Sequence, residues 1–303
     1  MKFEVTILGS SSATPIFNRN PSAQLINANE KLFLIDCGEG TQQQMLRYGI
    51  KATRIDEIFI SHLHGDHYLG LIGLLSTLHL NGRTKPMNLY APAALHEILE
   101  VSFRHSQTQL RYPLNFHPVQ PDQALKIFEN ADILVESIPL EHRIPCTGFK
   151  FSEKKRLPKM IKEKVEELDI DSDHIRLIKR GFPFTDKHGN VHPAHELTTE
   201  PDAPRSYAYC SDTICNWSYL DQIKNVTLLY HEATFMHDMV LRAKETFHTT
   251  ALEAAQVALK THAQKLLIGH FSARYRELEP LLEEAQSVFS ESFLATEGLT
   301  FEV

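Results

Sequence analysis

Ser61-His62-Leu63-His64-Gly65-Asp66-His67 places four potential metal ligands within six positions. In a regular helix or strand those four side chains could not all face one way. In a loop between a strand and a helix they can, and Gly65 permits the tight bend this needs. The flanks supply that context: residues 57–60 are a short β-branched and aromatic run, and residues 67–80 carry apolar side chains at spacings of three and four. Imidazole nitrogens suit zinc at about 2.0–2.1 Å, and a carboxylate completes or bridges such a site. The competing reading is a set of solvated loop histidines before a helix, with Asp66 only capping it.

The same strand-then-polar arrangement repeats along the chain. Short apolar runs at Lys31–Ile35, 57–60, 133–138, Ser206–Cys210, 226–230 and 265–268 lie just before Asp36, Ser61-His62, His142, Asp212, His231-Glu232 and His270. Side chains placed just beyond strand ends are how α/β proteins build sites on a rigid frame. Helical patterns at 93–103, 250–261 and 277–287 alternate with the strands, which suggests two sheets packed face to face with helices outside. His142, Asp212 and His270 raise the candidate ligands to seven, a number that fits two metals with a shared carboxylate and a bridging hydroxide. The expected division is His62, His64 and His142 on one zinc and Asp66, His67 and His270 on the other, with Asp212 between them. Asp36, in the turn Asp36-Cys37-Gly38, reads as a support that hydrogen-bonds the histidine loop.

Composition narrows the class. A chain of 303 residues, 42% hydrophobic and 23% charged, can bury one large core with at most a small appendage. No apolar run approaches the roughly 18 residues of a membrane-spanning helix. Residues 1–9 alternate like a strand and carry no signal-like apolar core, so a cytoplasmic protein with no membrane association is expected. Cys37, Cys146, Cys210 and Cys215 form no CxxC pair and read as reduced and mostly buried. With no GxSxG elbow and no Cys–His arrangement, the chemistry falls to metals and water.

His62-Leu63-His64-Gly65-Asp66-His67 is similar to the signature of the metallo-β-lactamase superfamily. Within it the sequence resembles the ribonuclease Z family over nearly its whole length. The resemblance is carried by Phe33-Leu34-Ile35-Asp36-Cys37-Gly38-Glu39-Gly40-Thr41-Gln42, Tyr230-His231-Glu232-Ala233-Thr234-Phe235, His248-Thr249-Thr250 and His270-Phe271-Ser272-Ala273-Arg274-Tyr275. It implies an α/β, four-layer αββα sandwich (the metallo-β-lactamase fold) over residues 1–303, with an inserted basic arm at 150–200. It also implies a zinc-dependent endoribonuclease with two Zn2+ per chain, acting on precursor tRNA through a metal-activated hydroxide. The products would be a tRNA 3′-hydroxyl and a trailer 5′-phosphate. Asp212, preceded by Ser211, carries the family's bridging aspartate, and Asp66 lies near the nucleophile and accepts its proton. Glu232 orients His248, which stabilises the scissile phosphate or protonates the departing 3′ oxygen. The family is homodimeric, each protomer's arm reaching the tRNA held in its partner's site.

The substrate argument that rests on residues alone is the segment 150–164, where seven basic residues face two acidic ones. Lys154, Lys155, Arg156 and Lys159, with Arg176, Lys179 and Arg180 further on, could follow a phosphate backbone. A solvated helix is the alternative, since Glu163, Glu166, Glu167 and Asp169 lie close by. Arg19, in the loop after the first strand, is either a phosphate contact or a salt-bridged surface arginine. Phe17 stands where the family often has lysine, and 172–181 replaces the family's Gly-Pro and Lys-rich run. A binuclear metal hydrolase or phosphodiesterase for a small substrate is the competing function, favoured by a closed neutral pocket.

Overall fold

The structure, a computed structural model, describes residues 2–16 and 19–303; Phe17 lies outside the described residues. The chain divides into two compact units, one formed by Met1–Ser152 with Ser206–Val303 and the other by Glu153–Arg205.

The larger unit holds two seven-stranded sheets. The first runs Thr300–Glu302, Phe3–Gly9, Ala23–Ala28, Lys31–Ile35, Ile55–Phe59, Met87–Ala91, Leu114–Pro118. The second runs Ser292–Leu294, Lys265–Gly269, Leu228–Glu232, Ser206–Cys210, Cys146–Glu153, Ile133–Leu140, Lys126–Glu129. Successive side chains of a strand point to opposite faces, and the cores follow that alternation. Phe33, Ile35, Phe59, Phe149, Phe151, Tyr207, Tyr209 and Leu267 enter one core shared by both sheets. Leu32, Leu34, Ile58 and Ile60 point the other way, to Leu71, Leu74, Leu75 and Leu78 of the helix Gly65–Leu80. Ala208, Cys210, Leu266 and Ile268 likewise meet Ala251, Ala254, Ala255 and Ala258 of the helix Ala251–Thr261. The layers are therefore helix, sheet, sheet, helix.

Strands buried on both faces cannot show a polar face, which is why their sequences are continuous apolar runs. The helices are set by local signals. Gly65–Leu80 buries positions four, three and four residues apart, and Ala251–Thr261 starts with a capping box in which Thr250 and Glu253 satisfy each other's backbone N–H. Its alanines keep the helix close to the sheet.

Several boundaries differ from the sequence reading. The run at 57–60 belongs to the strand Ile55–Phe59, and 226–230 to Leu228–Glu232. Ala23–Ala28, Met87–Ala91, Leu114–Pro118 and Cys146–Glu153 are strands that the apolar runs do not predict. The last of these moves the start of the insertion. Lys150 lies within it, paired with Glu136 at 2.8 Å, so the separate unit begins at Glu153 rather than Lys150.

The unit Glu153–Arg205 has its own small core of Ile170, Ile178, Phe184 and Leu197. Its helices are Lys162–Glu167, Ser172–Ile178 and the single turn Ala194–Leu197, the second capped by Asp171. It contains eleven Lys and Arg against eleven Asp and Glu. The positive character of 150–164 is therefore local, and the unit as a whole is neutral.

Candidate metal centre

The histidine loop leaves the strand Ile55–Phe59 and enters the helix Gly65–Leu80. It is held from beneath by the turn after Lys31–Ile35. Cys37 donates its N–H to the His67 carbonyl at 2.8 Å, and Gly70 donates to the Cys37 carbonyl at 2.9 Å. A Cβ at Gly70 would fall 2.2 Å from the Gly38 oxygen, so this backbone contact needs glycine there. Asp36 itself stands in the left-handed region at φ 54°, as does His270 at φ 59°. Non-glycine residues are kept there only when the surroundings over-determine them. For Asp36 the surroundings are plain. Its carboxylate accepts from Ser61 N at 2.7 Å, Ser61 Oγ at 2.9 Å, His67 Nδ1 at 2.7 Å and Tyr209 Oη at 2.7 Å.

Two ligand groups form above this support. In the first, His64 Nδ1 lies 3.1 Å from His62 Nε2 and 3.0 Å from His142 Nε2. Asp212 Oδ2 is 3.6 Å from His62 Nε2 and 3.8 Å from His142 Nε2. In the second, His67 Nε2, His270 Nε2 and Asp66 Oδ2 lie 3.3–3.5 Å apart. Asp212 Oδ1 is 3.4 Å from His67 Nε2 and 3.2 Å from His270 Nε2. One carboxylate thus offers one oxygen to each group.

Hydrogen bonds on the far side of each ring fix which nitrogen faces inward. Ser61 Oγ gives its proton to Asp36, so it accepts from His62 Nδ1 at 3.0 Å. His142 donates Nδ1–H to the Phe247 carbonyl at 2.9 Å. Thr234 Oγ1 gives its proton to Glu232 at 2.7 Å and accepts from His270 Nδ1 at 2.9 Å. Burial pushes His62, His64 and His142 below the ordinary histidine range, so these rings are neutral with lone pairs aimed at one another. Asp212 Oδ1 is buried without a hydrogen-bond partner among the described residues. Burial opposes ionisation of Asp66 and Asp212, but the facing histidines outweigh it and hold both well below the usual carboxylate range. Converging lone pairs, buried carboxylates and an orphaned oxygen are a donor set that needs cations. A tetrahedral site with nitrogen ligands at about 2.0–2.1 Å has edges of about 3.3 Å, which the 3.2–3.5 Å spacings of the second group match and the 3.0–3.8 Å spacings of the first group bracket.

Beside the cluster, His248 donates Nδ1–H to Glu232 Oε1 at 2.9 Å. Glu232 is buried and also accepts from Thr213 N, Thr249 N and Thr234 N at 3.0–3.1 Å. Burial opposes a charged His248, but the charge and hydrogen bond of Glu232 outweigh it and raise it to about 9. His231 is packed in the interior, against Tyr219 Oη at 2.7 Å. A cavity of about 310 Å³ opens onto the cluster, lined by His64, Asp66, Asp212, His248 and His270 among others.

All seven expected ligands, with Glu232 and His248, are brought together. The expected RNA contacts fall in both units, Arg19 in the larger and the others in Glu153–Arg205. Arg19 donates Nη2–H to the Tyr275 carbonyl at 2.8 Å and is partly buried beside Glu297. In the unit Glu153–Arg205, Arg156 pairs with Glu153 at 2.5 Å, Lys159 with Asp202 at 3.3 Å and Arg176 with Asp173 at 3.5 Å. Lys155 and Arg180 are exposed, and these two and Lys179 have no ion pair among the described residues; Lys154 is partly buried. Sequence reasoning placed Ser61 among the residues that bind or orient a metal but passed over Tyr209 and Thr234 as orienting groups, and Arg143 on the cavity wall. Arg143 directly follows an expected ligand, and that adjacency was the available signal.

Two facing sheets with outer helices and a divalent-metal-binding cluster at their shared edge define a metallo-β-lactamase-fold protein. The solved structure of human tRNase Z, short form, shares the fold with a TM-score of 0.73 and 27% identity over 99% of both chains. The metallo-β-lactamase fold protein YhfI from Bacillus subtilis shares it with a TM-score of 0.70 over 99% of both chains, at 20% identity. Curated relatives named ribonuclease Z are closer in sequence. That of Cytophaga hutchinsonii is 47% identical over 100% of this chain and 97% of its own. That of Bacteroides thetaiotaomicron is 45% identical over 98% and 94%. The chain belongs to the ribonuclease Z family, and its residues 3–212 also match the family model described as Anti-Pycsar protein Apyc1. That second match stops short of His248 and His270, which the ribonuclease Z relatives span.

Asp36→Asn removes the anionic acceptor behind His67 while keeping its size. It is expected to weaken metal affinity on the order of 10–100-fold, read by competition against a chromophoric chelator. Unaltered affinity would show that Asp36 does not orient the ligand.

Proposed function

We propose that this protein is a zinc-dependent endoribonuclease that removes the 3′ trailer from precursor tRNA. The observation that supports it most is the Glu232–His248 pair set against a seven-ligand cluster in a chain that matches ribonuclease Z relatives along its whole length. His62, His64 and His142 would hold one zinc and Asp66, His67 and His270 the other, with Asp212 shared. Bound there, the metals would supply Lewis acidity toward the phosphoryl oxygens and a water of lowered pKa.

The chain's own groups manage the protons. Asp66, ionised and steadied by the Ala13 N–H at 2.7 Å, accepts the proton of the attacking water. His248 keeps Nδ1–H on Glu232, so the proton it delivers to the departing 3′ oxygen comes from Nε2. As the new P–O bond forms, the bond to the 3′ oxygen breaks. The tRNA keeps a 3′-hydroxyl and the trailer a 5′-phosphate, with no part taken by the 2′-hydroxyl.

His248→Ala is expected to lower kcat on precursor tRNA about 10²–10⁴-fold while leaving two zinc equivalents per chain by metal analysis. Loss of one equivalent would make His248 a ligand instead, and a 2′,3′-cyclic phosphate product would contradict attack by water.

The unit Glu153–Arg205 is proposed to hold the tRNA body through Lys154, Lys155, Arg156, Lys159, Arg176, Lys179 and Arg180, with Arg19 nearer the cleaved end. Its overall neutrality favours the competing small-substrate phosphodiesterase, so the two must be separated directly. Reversing Lys154, Lys155, Arg156 and Lys159 to Glu should raise the Kd for precursor tRNA by orders of magnitude. It should also flatten the dependence of log affinity on log salt by roughly 0.7–0.9 for each phosphate no longer neutralised. Hydrolysis of a small phosphodiester should barely change. Retained tRNA affinity would leave the small-substrate reading in its place.

We further propose a cytoplasmic homodimer. Exposed Leu46, Leu69 and Leu80 support an apolar interface, and among the described residues no helix is long and apolar enough to cross a membrane. Cell fractionation checks the location. A concentration-independent monomer in sedimentation velocity would remove the dimer.

A further inference from the structure

We propose that Arg143 binds a backbone phosphate next to the scissile one, and so selects polynucleotide over small phosphodiester substrates. This rests on the site being a phosphodiesterase.

The cavity over the metal cluster is lined by Glu39, Asp66 and Asp212, and Arg143 is the only Lys or Arg on its wall among the described residues. Two of those carboxylates belong to the ligand set, whose metals would neutralise them. An oligonucleotide brings one further negative charge with each flanking nucleotide. Among the described residues only Arg143 is placed to meet it at the cavity itself.

The backbone that carries Arg143 is fixed at both sides. His142 is anchored to the Phe247 carbonyl at 2.9 Å, and the Glu141 carbonyl accepts from Ile214 N at 2.9 Å. Glu141 N donates to Thr213 Oγ1 at 3.1 Å, and Thr147 N to the Ser61 carbonyl at 3.1 Å. The guanidinium, by contrast, is exposed and has no hydrogen bond or ion pair among the described residues, although three carboxylates share its cavity. Its positive charge is felt at both His64 and His248, so it stands near a metal ligand and near the proposed proton donor. A planar fork of donors on an anchored backbone, unpaired beside the reacting phosphate, is the arrangement that recognises a second phosphate. An arginine that merely tuned His248 would act on every substrate equally, and that difference is measurable.

The experiment compares wild type, Arg143→Ala and Arg143→Lys on four probes. These are precursor tRNA turnover, bis(p-nitrophenyl) phosphate hydrolysis, equilibrium binding of precursor tRNA to chelator-treated protein, and short RNA substrates with a neutral methylphosphonate at either flanking position. Arg143→Ala should raise KM and Kd for RNA on the order of tenfold, with Arg143→Lys keeping most of the affinity. The small diester, which has no flanking phosphate, should be hydrolysed at the wild-type rate. Neutralising one of the two flanking phosphates should erase the difference between wild type and Arg143→Ala. The proposal is overturned if the small diester loses as much as RNA, or if the difference survives neutralisation at both positions. A wild-type protein that cleaves the short RNAs but not precursor tRNA would sink the substrate reading above and still score Arg143.

Discussion

The Asp36 carboxylate lies fully buried between the two sheets with four donors aimed at it, and the metal centre is built outward from that point. A buried carboxylate is costly unless its lone pairs are filled, so the four donors cannot drift without exposing that cost. Ser61 and His67 come from the histidine loop, and Tyr209 comes from the opposite sheet. One anion therefore sets both the spacing of the sheets at this edge and the direction of the first ligands. Ser61, held by Asp36, passes the orientation on to His62.

A second buried acid does the same for the other half. Glu232 organises Thr213, Thr234, Thr249 and His248, and through the Thr234 hydroxyl it also sets the tautomer of His270. The proposed proton donor and one proposed metal ligand thus share a single carboxylate as their reference. Between these two supports, Asp212 Oδ1 has no hydrogen-bond partner among the described residues, and the two oxygens of Asp212 face one candidate ligand group each.

The clustering of the expected ligands was legible because their chemistry is dense and their placement repeats. Histidine and aspartate beyond the ends of short apolar strands have few other uses, so His142, Asp212 and His270 could be added to the loop cluster without knowing the sheet order. The two-faced burial of central strands was legible as well, since Leu32–Ile35 has no polar face to show. Strands such as Met87–Ala91 and Leu114–Pro118 were hidden because nothing functional marks their ends and Leu114–Pro118 lies half exposed at a sheet edge. Lys150 misled for a different reason. A lysine on a strand is indistinguishable in sequence from one on a protruding arm, and only its pairing with Glu136 assigns it. The supports that stayed hidden are the Tyr209 and Thr234 hydroxyls, residue types too common for a linear pattern to single out.

The ligand set draws His62, His64, Asp66 and His67 from one sheet and His142, Asp212 and His270 from the other, the last following the strand Lys265–Gly269. During synthesis the early loop emerges with its four side chains long before the bridging acid and the final histidine exist. Until residue 270 has been made and its strand docked between Leu228–Glu232 and Ser292–Leu294, the second ligand group is incomplete. A nascent chain on the ribosome therefore carries a partial metal trap but no finished hydrolase. The order of ligands along the chain delays activity until residue 270 has been made and its strand docked.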